Sequence, residues 1–565
     1  MSPEHLKPRW NVAETDRGAA TAMARAAGVP PLVAQLLLLR GIDTPEAAER
    51  FLRPRLADLC DPMLLTGMGE AVERISLARD RGEKVLVFGD YDVDGIAATA
   101  LLSRALLRFG VGEVGCGMPD RLREGFGLMP DQVERAAADG VNLIITVDNG
   151  ISAFAAAGRA TELGVDLIIT DHHNIEDQLP PAAAVVNPRR EAAGHPAGAL
   201  CGAGVAFKMA TALNGAPNDL DIAALGTVAD MVPLLGENRV IVALGLRHMS
   251  RHRRVGLAKL ADVSGITLDG ISSEKIGFQL GPRINAAGRL DDARVALDLL
   301  LTDCPDTAGG IAKLLNTANE ERRAIEKQIF DEAVEELDAF LKREQRSIVV
   351  SRRGWHPGVI GIVASRLYGR YHRPVVILSV DDDGMARGSA RSGPGFDMMA
   401  ALTECREHFT KFGGHKAAAG MSLPAAGIPG FSADFERAAR TQLGPDPPAP
   451  LVEIDAIASL GELDGALLKT LEALEPHGQG NPSPLFAACG VEIVPQSVKV
   501  FKDLHVKMAV RQGGATLSAI WFKNAERFFT ENYPARVDIA FTPQHGTHIT
   551  DTAVHLRLHD IRAAE

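Results

Sequence analysis

The sequence predicts an α/β protein with two α/β lobes joined by a long helix and followed by a small β-barrel. Three observations predict it. Between about Glu70 and Ala261, short apolar runs alternate with stretches of helical spacing, the pattern of a parallel, doubly wound sheet. The run ANEERRAIEKQIFDEAVEELDAFLKREQ has apolar steps of three and four and no Gly or Pro, as a long amphipathic helix requires. After the proline-rich LGPDPPAP at Leu443–Pro450, short strand-like runs recur at close spacing, which suits a barrel.

The first element of the sheet carries the chemistry. Val85–Phe88 is a run of four apolar residues that stops at Gly89. Asp90, Asp92 and Asp94 follow at every second position, and Gly95 leads into the helical spacing of IAATALLSRALLRF. Acidic residues at the C-terminal end of a parallel strand stand where open α/β sheets place their ligands. Carboxylates this close repel one another unless a cation neutralises them. Taken alone, the cluster is equally consistent with a solvated acidic turn that caps the next helix.

Other predicted strands end in the same way. Asn142–Val147 runs into Asp148, and Asp166–Thr170 runs into Asp171, His172 and His173. Ala184–Asn187 is a further strand, and AALGTVADMVPL puts Asp230 just before a proline break. Parallel strands share a direction, so Asp90, Asp92, Asp148 and His172 can converge at one edge and Asp230 can join them. An oxygen-rich set with one or two imidazoles suits Mn²⁺ or Mg²⁺ better than a closed zinc site. Two such ions are the usual device for in-line attack on phosphorus.

The bulk composition narrows the classes. The chain has 565 residues, enough for about three or four domains. No stretch near 20 residues is apolar and free of charge, so no transmembrane helix is expected. The start, MSPEHLKPRWNVAETD, lacks the apolar core of a secretory signal. The six cysteines are scattered with no CxxC pair, which argues against a zinc ribbon and a disulfide framework and fits a reducing cytoplasm. A net charge of −12 counts against coating nucleic acid by bulk charge, but local Lys/Arg patches can still meet a polyanion.

Residues 1–70 are expected to be helical and to cover the sheet or shape an entrance. The first lobe is expected over 71–302, the connecting helix over 303–346, the second lobe over 347–443 and the barrel over 451–565. In the second lobe, GSARSGPGFD and FGGHKAAAG are glycine-rich turns whose N–H groups can approach an anion. In the barrel, Lys499, Lys502, Lys507 and Arg511 occur near Phe501, and Lys523 lies beside Trp521 and Phe522. Cations interleaved with aromatics suit single strands, which are held by stacking and backbone neutralisation.

DYDVDG, VDNG, TDHH and GTVADMVPL, in this order, resemble the motifs of the DHH phosphoesterase family, named for the triplet Asp171-His172-His173. PDRLREGFGL at Pro119–Leu128, LCGAGVAFK at Leu200–Lys208 and LGPRINAAGRL at Leu280–Leu290 resemble its single-strand-specific exonuclease branch. The two glycine-rich stretches resemble the DHHA1 lobe, and HGQGNPSPLF at His477–Phe486 resembles the entry of that branch's oligonucleotide-binding OB-fold.

The resemblance implies a two-metal exonuclease with two Mn²⁺ or Mg²⁺ ions, degrading single-stranded DNA from its 5′ end. It implies Asp90, Asp92, Asp148, His172 and Asp230 as metal ligands, with Asp148 bridging. His173 is a near-site ligand or proton handler, and Asp94 and Asp171 hold ligands in place. Arg283 or Arg289 contacts phosphate, although PRINAAGR also reads as a tight packing turn. Ser389, Arg391 and Ser392 face a phosphate, and His415 and Lys416 approach the scissile phosphate or its neighbour. One departure stands out: the position two before Asp90, a histidine in many members, is Phe88 here.

A helicase and a single-strand-binding protein are the expected partners, with a monomeric, cytoplasmic enzyme and no membrane. A phosphodiesterase for short oligonucleotides or cyclic dinucleotides is the rival activity. A catalytically silent DHH scaffold that binds DNA or replication proteins is the rival from another class.

Overall fold

The computed structural model describes residues 7–119, 127–290, 292–341, 344–444, 450–546 and 554–564, the side chains at 289 and 290 excepted. The chain divides into two compact units. One joins Asn11–Asn316 to Glu453–Glu565, and the other joins the described residues up to Trp10 to Thr317–Val452.

The first unit opens with helices α1 (Arg17–Ala27), α2 (Pro31–Leu39) and α3 (Pro45–Leu52). Asp16 and Thr44 cap α1 and α3 by accepting first-turn N–H groups. A parallel sheet follows, built from β1 (Lys84–Phe88), β2 (Glu113–Gly117), β3 (Leu143–Val147), β4 (Asp166–Thr170) and β5 (Ala184–Val186). Its order is β2-β1-β3-β4-β5. Every pairing is parallel, with Phe88 level with Gly117 and Thr146, and Val147 with Thr170. All the C-terminal ends therefore share one edge. Strand β2 escaped the sequence reading because EVGCG is short and half-exposed rather than a continuous apolar run.

Helix α4 (Val93–Phe109) follows β1, and α5 (Gly202–Asn214), α6 (Leu220–Ala229) and α7 (Gly236–Arg251) pack beside it in one apolar cluster. Helix α8 (Gly281–Leu290) returns to the β1–α4 turn, and α9 (Pro305–Phe340) is the long connector.

The second unit holds a mixed sheet: β6 (Ile348–Arg353), β7 (Val375–Val380), β8 (Met385–Arg391), β9 (Lys411–His415) and β10 (Ala418–Pro424), in the order β9-β10-β8-β7-β6. Only β6 and β7 are parallel. Helix α10 (Ile360–Tyr371) packs against the sheet. GGHKAAAG is thus a β-hairpin, with Ala419 buried beneath it.

The C-terminal strands are β11 (Ala456–Ile457), β12 (Phe486–Ile493), β13 (Lys499–Phe501), β14 (His505–Gln512), β15 (Ala515–Trp521), β16 (Arg536–His545) and β17 (Val554–Ala563), with helix α11 (Gly465–Glu472) before β12. Pairings run β12-β16-β17-β15-β14, and β14 returns to β12, which closes a five-stranded barrel. Closure removes the exposed sheet edges.

One expectation is corrected. The N-terminal helices do not cover the sheet: Met23, Val33, Leu36, Leu37 and Phe51 share an apolar core with Leu468, Phe486, Val506 and Trp521 of the barrel. Arg239, on α7 and only 2% exposed, ties this core to the sheet domain. Its guanidinium donates to the carbonyls of Phe51 (2.7 Å), Leu474 (2.9 Å), Ala473 (3.0 Å) and Glu475 (2.8 Å), and lies 3.6 Å from the Phe51 ring centroid. Burial, with Arg40 and Arg247 nearby, lowers its pKa to about 9. Lys208 and Glu237 form a second buried tie, which also engages the Cys60 backbone.

Two outcomes follow. Arg239→Met removes the guanidinium's bonds to all four carbonyls and should lower unfolding free energy by about 3 kcal/mol in denaturant titrations. His477, held down to about 4 by burial and by Arg40 and Arg239, gives a pH signature. Its ordinary value is 6.5, so the unfolded chain takes up this proton first as pH falls. Its contribution is complete above about 6.5 and is lost between there and about 4. The stability gap between the protein and a His477→Asn variant should narrow across that window.

Candidate metal centre

The strand ends and the turns after them build the site. Gly95 lets the β1–α4 turn close, since a Cβ there would lie 2.5 Å from the Asp90 nitrogen. Asp92 caps α4, accepting from Asp94 N–H (2.9 Å) and Gly95 N–H (3.1 Å). Asp148 follows β3 with φ at 62°, and Gly202 presses against it so closely that a Cβ would sit 2.5 Å from the Asp148 Cβ. Asp230 caps the C-terminal end of α6.

These elements bring the predicted residues together. Donor atoms of Asp90, Asp92 and Asp148 lie within 4.8 Å of one another, as do those of Asp148, His172 and His173, and those of Asp94, His172 and Asp230. His172 Nε2 is 3.0 Å from Asp148 Oδ1 and 3.8 Å from Asp94 Oδ2, and its Nδ1 is 3.7 Å from Asp230 Oδ2. Two overlapping clusters thus share Asp148, and two share His172.

The supporting groups are now distinct. Both Asp94 oxygens accept from the N-terminus of α5, from Gly202 N–H (2.7 Å) and Ala203 N–H (2.9 Å). Asp94 therefore holds α5 against the site, the positioning role weighed for it from sequence. Asp171 accepts from the N–H groups of Ile151, His172 and His173 and from His173 Nδ1 at 2.7 Å. It fixes both histidines.

Electrostatics tests whether a cation fits. Burial, then Asp94, Asp92 and Asp90, raises the Asp148 pKa well above the carboxylate range. Burial, then Asp94 and Asp92, raises Asp230 to about 8. Burial lowers His172, which favours its neutral, ligating form. Burial also opposes charge on His173, but its bond to Asp171 and the charges of Asp171, Asp230 and Asp90 together outweigh this, and the net shift is upward. Asp148 Oδ1, Asp230 Oδ2 and His172 Nε2 are buried atoms that receive no hydrogen bond. Clustered carboxylates that cannot all ionise alone, with such atoms aimed at one another, fit hard divalent ions.

Phe88 is 4% exposed and packs in an apolar cluster, with its ring against Gly117, so that position supplies no ligand. Arg283 donates to Asn316 Oδ1 (2.9 Å) and to the Gln279 carbonyl (2.7 Å). The side chain of Arg289, and residues 120–126 of the PDRLREGFGL motif, lie outside the described residues. What α8 brings to the site is Asn285, whose Oδ1 accepts from Val93 N–H at 3.1 Å, and Gly288, where a Cβ would meet the Tyr91 carbonyl at 2.8 Å. Asn285 was missed because the arginines drew the reading; the glycine and alanine around it were the signal of close approach.

In the other unit, Arg391 Nη1 donates to Ser389 Oγ (3.0 Å) and to the Ala390 carbonyl (2.7 Å), and burial lowers the arginine's pKa. Gly361, in the first turn of α10, adjoins both: a Cβ there would lie 3.0 Å from Ser389 Oγ and 3.2 Å from Arg391 Nη2. Ser392 Oγ donates to the Lys416 carbonyl (3.1 Å), and His415 and Lys416 are exposed at the hairpin turn. A helix start, a guanidinium and hydroxyls make an anion-compatible corner.

A parallel sheet whose ends gather carboxylates and a DHH triplet defines a DHH-type phosphoesterase, and the DHH family N-terminal domain model matches residues 84–229. The DHHA1 domain model matches 345–441 and the RecJ OB domain model 454–560. The single-stranded-DNA-specific exonucleases RecJ of Haemophilus influenzae and Escherichia coli are each 34% identical to this chain, over 89% and 91% of it and 91% and 93% of their own lengths. That of Bacillus subtilis is 38% identical over 92% of this chain and 66% of its own length. The crystal structure of RecJ in complex with Mn²⁺ from Thermus thermophilus superposes with a TM-score of 0.84 at 31% identity, covering 99% of this chain and 80% of that one. The chain belongs to the RecJ family.

Adding Mn²⁺ should raise the melting temperature of the protein. Asp148→Ala should fold, yet lose most of that rise in differential scanning fluorimetry.

Proposed function

We propose that the chain is a divalent-metal-dependent exonuclease that degrades single-stranded DNA from its 5′ end and releases mononucleotides, in DNA repair and recombination. The observation that carries this reading is the gathering of Asp90, Asp92, Asp148, His172 and Asp230 at one sheet edge, in a chain of the RecJ family. These five would hold two ions, with Asp148 between them. Ions of this kind supply an activated water and neutralise the charge that builds on the phosphate oxygens.

The other residues serve that centre. Asp171 fixes the His172 backbone and the His173 ring. His173, holding its proton more firmly than a free imidazole, is placed to give or take one at a phosphate or leaving oxygen. Ser389 and Arg391 beside the start of α10 would receive a phosphate group of the strand. On the barrel, Trp521 is core at 1% exposure, whereas Phe501 and Phe522 are 36% and 40% exposed. His505 lies between them, 4.8 Å and 5.3 Å from their ring centroids, and Lys499, Lys502, Lys507 and Lys523 are exposed on the same strands and turns. This row suits stacked bases and their phosphates.

The protein would act as a cytoplasmic monomer. Among the described residues, no single helix is long and apolar enough to cross a membrane. A strand-separating helicase would supply the substrate, and a single-strand-binding protein would present it.

Digestion of 5′- and 3′-end-labelled single strands should release labelled mononucleotide first from the 5′ label, with Mn²⁺ or Mg²⁺ and not with chelator. Near-normal cleavage by Asp148→Ala would refute the assignment. Phe501→Ala with Phe522→Ala should weaken binding of a long single strand about tenfold or more, while sparing hydrolysis of a dinucleotide.

A further inference from the structure

The motif HGQGN at His477–Asn481 marks the entry to the barrel, yet none of its residues lies in the metal site or in the aromatic row. Its conformation is closed and fastened. Gly478 and Asn481 exchange backbone hydrogen bonds of 2.9 and 3.1 Å. The fully buried Asn481 donates to the carbonyls of Leu474 (2.8 Å) and Pro476 (2.9 Å) and accepts from Arg40 Nε (2.6 Å). Ser273 Oγ donates to the His477 carbonyl at 2.5 Å.

This turn sits on Pro233–Leu235. Leu234 N–H donates to the Gln479 carbonyl at 2.7 Å. A Cβ on Gly478 would lie 2.7 Å from Leu234 Cδ1. A Cβ on Gly480, where φ is 72°, would lie 3.2 Å from Pro233 Cβ and 3.3 Å from Leu235 Cδ1. Both glycines are needed for this approach.

Pro233–Leu235 is the far end of the link that leaves Asp230. Its near end is fixed by Asp230 N–H donating to Gly226 at 2.9 Å, and it passes through Met231 at a φ of 60°. Asn238 Nδ2 donates to the Pro233 carbonyl at 3.1 Å. The Asp230 side chain has no such anchor: its Oδ2 receives no hydrogen bond. The placement of that oxygen therefore depends on the backbone on either side of Asp230, the end of α6 and this link.

We propose that the HGQGN turn is a positioning element for Asp230, so that the barrel's entry, besides leading to a strand-binding surface, sets the divalent-ion affinity of the catalytic centre. This rests on the reading of Asp230 as a metal ligand. Gly478 and Gly480 are the positioning residues, acting through Leu234 and Pro233.

The test uses the full chain and Mn²⁺ alone, followed by calorimetry in the absence of DNA. Gly478→Val and Gly480→Val should each weaken Mn²⁺ binding about tenfold or more, the usual scale for groups that orient a ligand. Turnover should recover towards that of the unaltered protein at high Mn²⁺, and single-strand binding in chelator should be unchanged. Gln479→Ala keeps the carbonyl and should bind Mn²⁺ normally. If a valine variant does not fold, by circular dichroism, Gly478→Ala is measured in its place with the same expectation. Folded variants whose Mn²⁺ isotherms match the unaltered protein would overturn the proposal. An unaltered protein that binds Mn²⁺ but leaves single strands intact would instead overturn the exonuclease reading and leave this inference standing.

Discussion

The mutual repulsion of carboxylates held out of water is the constraint on which the rest of the structure depends. Asp90, Asp94 and Asp148 are each 3% exposed or less, and burial makes charge on any of them costly. A chain that merely tolerated such a cluster would turn the groups towards solvent. Here the fold does the opposite. The start of α5 clamps Asp94 with two N–H groups, Gly202 lets the helix close on Asp148, and Asn285 pins the turn that carries Asp92. Asp171 locks two histidines with one carboxylate. The energy spent on this confinement would be recovered when divalent ions enter, which would couple metal binding to folding.

The division of labour follows from that centre. The parallel sheet supplies direction, because five strands running the same way deliver their terminal residues to one edge. The helices supply rigidity, and the small residues in their first turns allow them to approach the acidic loops. The barrel takes a different part. Its closed hydrogen-bonding ring needs no neighbour, yet it shares a core with helices from the other end of the chain, and Arg239 reaches both through four carbonyls. A buried cation satisfied by peptide oxygens alone is demanding in direction. It favours one mutual placement of α7, α3 and α11 over looser alternatives.

Much of this was legible in the chain itself, for identifiable reasons. Apolar runs that end abruptly in acid or histidine report strand termini, and parallel connectivity makes those termini neighbours. The candidate ligands Asp90, Asp92, Asp148, His172 and Asp230 could therefore be gathered on paper. The short strand Glu113–Gly117 could not, because glycine, cysteine and a half-exposed edge leave no period to read. The role of Asn285 was hidden for another reason: its effect depends on a partner 192 positions away. The packing of the first helices against the barrel was equally beyond reach, since an amphipathic face says that something covers it and not what. Arg283 shows a further limit: its charge suggested a phosphate, and no local pattern showed that its guanidinium also bonds Asn316 and the Gln279 carbonyl.

The shared core of α1–α3 and the barrel also has a bearing on biosynthesis. Leu36, Leu37 and Phe51 leave the ribosome early, while Phe486 and Trp521, which share their core, are translated roughly 450 residues later, a delay of roughly 20–100 s at ordinary elongation rates. For that interval the nascent helices have no native barrel surface to meet. Maturation of this body is thus post-translational by construction, and premature termination before the barrel strands strands the leading helices without their cover.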